Sequence, residues 1–126
     1  MGFFNRRKLT HDVNLLELTP SRIYSHETEE SGLVSVLIPR FHNKILAKII
    51  TPHLKDPFVR VKFDEFGSST WLEIDGKKNV LSVSDMLVQK HGDKIQPVYE
   101  RVSKFLNQLY IYKFINFNET KGEENG

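Results

Sequence analysis

Hydrophobic spacing changes character along this chain, from short runs and two-residue alternation in the first half to helical periods in the second. Leu33 to Ile38 is an apolar run bounded by Gly32 and Pro39, which predicts a buried strand. The turn-prone Glu29-Glu30-Ser31-Gly32 joins it as a hairpin to a preceding strand over 22–28. Residues 58–63 alternate cleanly, with Val59, Val61 and Phe63 on one face and Phe58, Arg60 and Lys62 on the other, and predict a half-buried strand. Between the two, Ile45, Leu46, Ile49 and Ile50 recur at helical spacing opposite Lys44 and Lys48. This predicts a short helix over 43–51, with Asn43 as its cap and Pro52 as its stop.

Three further helices follow. Asp64 caps the first, in which Phe66, Thr70 and Ile74 form one stripe with Trp71 beside it, and Asp75-Gly76 ends it as a turn. Ser82 with Asp85 three residues later is a capping-box variant that opens the second, whose Val83, Met86 and Leu87 face inward and which Gly92 closes. The third starts at Gln96 with Pro97 in the N1 slot, where a missing N–H costs nothing, and runs to about Lys113. A last short strand spans 114–117. Residues 1–20 read as an N-terminal arm, 21–117 as one domain, and 118–126 as a polar, disordered tail.

The third helix has two apolar stripes. Val98, Val102, Phe105, Leu109 and Tyr112 form the first; Tyr99, Leu106 and Tyr110, with Ser103 and Asn107 interspersed, form the second. One reading is a wide core face. The other is that the second stripe lines a groove, its tyrosines serving as amphipathic anchors for a partner. An open edge at 58–63 then lets an extended peptide add as a further strand.

Composition narrows the field more than it identifies a function. At 126 residues, 39% hydrophobic and 27% charged, the chain has the material for one core and not for two. No run of 18 apolar residues suggests a membrane span. The start MGFFNRRKLT places its apolar pair before its basic cluster, the reverse of a secretory signal, and Arg6 stands where a myristoylation site needs Ser or Thr. The absence of cysteine removes disulfides, thiolate metal sites and cysteine nucleophiles, and a reducing cytoplasm is the expected location.

Net charge is +2, divided into +4 over residues 1–63 and −2 over 64–126, so the helical half lacks the basic surface of a nucleic-acid reader. The histidines (11, 26, 42, 53 and 91) show no metal-ligand spacing, and Gly67-Ser68-Ser69 has neither the second glycine nor the lysine of a phosphate loop. No catalytic set, cofactor or metal site emerges.

In order and spacing, Gly67, Trp71, Asp75-Gly76, Val80, Val83, Leu87, Gly92, Val98, Val102, Phe105-Leu106 and Leu109 resemble the pattern of PqqD-like proteins. The similarity covers residues 58–117, and it is carried by packing and turn residues. It implies an α+β, winged-helix-like domain: a three-stranded antiparallel sheet plus three C-terminal helices. It also implies a non-enzymatic role. Such domains bind the leader segment of a ribosomally made precursor peptide and present it to a modifying enzyme, often a radical-SAM protein. The leader lies as an added strand between the third strand and the third helix. Here those elements are 58–63 and 97–113, and the residues expected to bind peptide are Val59, Arg60, Val61, Lys62, Tyr99, Ser103, Leu106 and Tyr110. One departure is plain: the family's glycine near the end of the last helix is absent, and Tyr112-Lys113-Phe114 stands there. Two other readings compete. One is a winged-helix nucleic-acid binder using Arg101, Lys104, Gln108 and Lys113, and the other is a structural subunit of an enzyme complex.

Overall fold

The computed structural model describes residues 14–40 and 56–120. The helix expected over 43–51 and most of the N-terminal arm lie outside the described residues. Strands β1 (Pro20–Arg22), β2 (His26–Thr28), β3 (Val34–Pro39) and β4 (Phe58–Lys62) precede helices α1 (Glu65–Glu73), α2 (Val80–His91) and α3 (Val98–Ile111), and β5 (Ile115–Phe117) follows. The fold is α+β. Its main sheet is antiparallel in the order β2-β3-β4, and the three helices come after it in the chain.

The expected strand over 22–28 is divided in two. Its first part, β1, begins at Pro20 and pairs antiparallel with β5 in a separate two-stranded sheet, while only His26–Thr28 pairs with β3. The region around 118 is also ordered, contrary to expectation. Asn118–Thr120 forms a 3-10 turn, Thr120 is buried, and the Glu119 carboxylate accepts from the Thr19 N–H and hydroxyl, each at 2.8 Å. Asn118 donates to the Gly76 carbonyl at 3.0 Å. Leu18 and Pro20, assigned to the arm by sequence, are buried, so residues 14–20 form part of the domain.

Helix boundaries follow their caps. Asp64 caps α1 through the Gly67 N–H at 2.8 Å, as its position predicts. Helix α2 starts earlier than Ser82 suggests, because the Asn79 side chain accepts from the Ser82 N–H at 2.9 Å and begins the helix at Val80. Helix α3 starts at Val98, with a 3-10 turn over Gly92–Ile95 and a cis Gln96–Pro97 bond before it, so Pro97 is the cap residue and not the first helical one. Fully buried Val34, Val36, Trp71, Ile74, Val80, Val83, Leu87, Val102, Leu106, Ile115 and Phe117 form the centre of a single core between sheet and helices.

Candidate functional site

Strand β4 is the edge of the main sheet among the described residues. The Phe63 N–H donates to the Val34 carbonyl and the Arg40 N–H to the Pro57 carbonyl, each at 2.9 Å. Main-chain direction alternates along a strand, so residues 59, 61 and 63 turn their peptide groups toward β3, and 58, 60 and 62 turn theirs away. The outward N–H of Phe58 is taken by the Asp56 carboxylate at 3.1 Å. Arg60 and Lys62 therefore present the main-chain groups open to an added strand, with no hydrogen-bond partner among the described residues.

The side chains of β4 divide by face. Phe63 packs edge-on against Trp71 and Phe105, with ring centroids 5.7 and 5.5 Å apart, and so marks the core face. Val61 on that face is half-buried and Val59 is 43% exposed, so the apolar face extends past the core instead of ending with it. On the opposite face the Arg60 guanidinium bonds Glu27 at 2.9 Å and also Asp56. Those two bonds raise the pKa of Arg60 further. Glu27 is held below its usual range mainly by the Arg60 bond, and Asp56 mainly by the Phe58 N–H. Lys62 reaches Glu29 at 3.4 Å, with its own side chain 59% exposed.

Helix α3 meets this strand on a different side from the one expected. Leu106 and Tyr110 are buried, Tyr110 packs on Phe117 of β5 at 5.2 Å, and the Tyr99 hydroxyl donates to Asp85 of α2 at 2.9 Å. That bond raises the Tyr99 pKa. The stripe Tyr99–Ser103–Leu106–Tyr110 thus faces α2 and β5, and the structure does not bring it to Val59, Arg60, Val61 and Lys62. The neighbour of β4 is the other shoulder. Phe105 touches Phe63 and also Phe66, at 5.9 Å, and the Arg101 guanidinium sits 4.3 Å from the Phe66 ring centroid. Residues two apart, such as 99 and 101 or 110 and 112, are about 160° apart round a helix, which places the two stripes on opposite sides of the buried face. Tyr112, about two turns beyond Phe105, is 47% exposed. Phe114, just past the helix, stacks beneath Phe63 at 6.4 Å and meets Tyr24 at 5.8 Å.

Gly67 permits this approach: a Cβ there would lie 3.2 Å from both the Phe105 ring and the Phe63 Cβ. Its neighbour Ser68 accepts the buried Val34 N–H at 2.8 Å, so the Gly-Ser-Ser segment joins helix to strand. A cleft of about 550 Å³ opens where β4 runs into α1, with Leu33, Phe66 and Ile95 as its apolar lining and Glu65, Lys94 and Arg101 among its charged residues. Arg101 is already engaged there by Phe66 and by the Lys94 carbonyl at 3.3 Å.

Among the described residues, no group of three or more His, Asp or Glu could hold a metal ion, and no helix is long and apolar enough to cross a membrane. No family model, curated protein or solved structure matches the chain.

Proposed function

We propose that this chain is a non-enzymatic, PqqD-like peptide-recognition domain acting in the cytoplasm. In this reading it holds the leader of a ribosomally made precursor as a strand added to β4 and presents it to a modifying enzyme, of which radical-SAM proteins are the leading class. The observation that carries the reading is the outward-facing main chain of Arg60 and Lys62 on what is, among the described residues, a sheet edge. Beside that edge lies the exposed Val59, and Phe105 packs on Phe63 just past its end. Main-chain bonds to an edge provide affinity with little sequence demand, and flanking apolar positions select alternate side chains.

The test is a titration of the purified chain with a synthetic leader whose precursor is encoded beside its gene. Saturable binding with a 1:1 endpoint, weakened by β4-edge variants, supports the reading. Absence of binding to any such leader at low salt overturns it.

A further inference from the structure

Resting on the strand-addition reading above, we infer that the segment bound along β4 places an acidic side chain beside Lys62 and apolar ones beside Val59 and Val61. Side chains directly across a strand pair project to the same face about 4.5–5.5 Å apart, so each β4 residue selects the one beside it. On the core face those selectors are Val59, 43% exposed, and half-buried Val61, both apolar. On the other face they are Arg60 and Lys62, both cationic.

The two cations are not equivalent. Arg60 is neutralised on both sides, by Glu27 of β2 and by Asp56 just before the strand. An acidic residue opposite Arg60 would also approach the Asp56 carboxylate, whose Oδ1 already sits on the outer edge bonded to the Phe58 N–H. Among the described residues Lys62 has one carboxylate, Glu29, at 3.4 Å, and its side chain is 59% exposed. Exposed pairs of this kind bind weakly, so the ammonium can take a second carboxylate from the direction of the open edge. The acidic preference therefore centres on the residue beside Lys62, and a basic residue there meets a like charge.

The experiment uses the full chain and three synthetic peptides of equal length: one alternating Val and Thr with a single Glu in place of a central Thr (Val/Glu), the same peptide with Lys at that place (Val/Lys), and one with the Val/Glu composition shuffled to break the alternation. Binding is read by isothermal titration at low salt, with Lys62→Glu and Lys62→Ala as variants and thermal melts to confirm that each folds. The expected result is that Val/Glu binds about tenfold tighter than Val/Lys, as opposite and like cross-strand charges imply. The shuffled peptide is weakest, and Lys62→Glu inverts the order. Equal affinity for Val/Glu and Val/Lys, unaffected by Lys62→Glu, overturns the inference and leaves strand addition standing. If no peptide binds and the Arg60 and Lys62 amides do not shift, strand addition falls and the inference falls with it.

Discussion

The indole N–H of Trp71 donates to Nδ1 of His26 across 3.1 Å, tying helix α1 to strand β2 of the main sheet. Arg22 of β1 approaches the same nitrogen at 3.4 Å and lies over the indole ring. Nδ1 can accept from Trp71 only while unprotonated, which assigns the remaining ring hydrogen to Nε2. Burial, and then the Arg22 charge, lower the His26 pKa below the ordinary 6.5. The unfolded chain then takes up the proton before the folded one, so stability is fully present above pH 6.5 and falls as pH drops from there toward the lower folded pKa. Denaturant titrations over this range, with Trp71 fluorescence as the probe, should show that loss. His26→Gln should remove it, because an amide oxygen accepts the indole bond without titrating.

Helix α3 ends in a Schellman arrangement around Lys113. The Phe114 N–H reaches the Leu109 carbonyl at 2.8 Å and the Lys113 N–H reaches the Tyr110 carbonyl at 3.1 Å. Lys113 itself is in the left-handed region at φ 65°. Such a conformation costs an L-residue about 1 kcal/mol that glycine avoids. Lys113→Gly should therefore raise the unfolding free energy by about that amount, measured by chemical denaturation with an unchanged m-value.

Ser68 is buried and joins three elements. Its hydroxyl accepts the Val34 N–H at 2.8 Å and faces the Phe63 carbonyl at 3.4 Å, where β3, β4 and α1 meet. Ser68→Ala leaves the Val34 N–H without an acceptor, at a cost of about 1–3 kcal/mol. Amide exchange at Val34 should quicken more than at Val36, whose bonds lie within the sheet.

Because only the even-numbered residues of β4 direct their main chain outward, a proline at 62 removes an outward donor and spares every bond to β3. Lys62→Pro should fold and should weaken leader binding about tenfold, the scale of one lost hydrogen bond with its steric penalty. Lys62→Ala separates the contribution of the side-chain charge. Unchanged binding in Lys62→Pro would count against an added strand.

Periodicity made the three helices and the strands β3 and β4 legible, because each has a clear apolar face between strong stop signals. It could not show that β1 leaves the hairpin, since pairing with Ile115–Phe117 joins segments far apart in the chain. Nor could it orient α3. Tyr99 and Tyr110 on one shoulder are as aromatic as Phe105 and Tyr112 on the other, and only the tertiary contact of Phe105 with Phe63 shows which shoulder lies toward β4. The Arg101–Phe105 pair, one turn apart and followed by exposed Gln108 and Tyr112, is the signal that the stripe of tyrosines obscured. Ser82 misled for a local reason: Asn79, three residues earlier, is the side chain that caps α2.

Amide hydrogen exchange along β4, free and with leader bound, tests strand addition most directly. The N–H groups of Val59, Val61 and Phe63 face β3 and should be protected in both states. Those of Arg60 and Lys62 should exchange rapidly in the free domain and become protected when the leader binds. A leader that binds while Arg60 and Lys62 exchange as fast as before would place it elsewhere on the molecule and contradict the account.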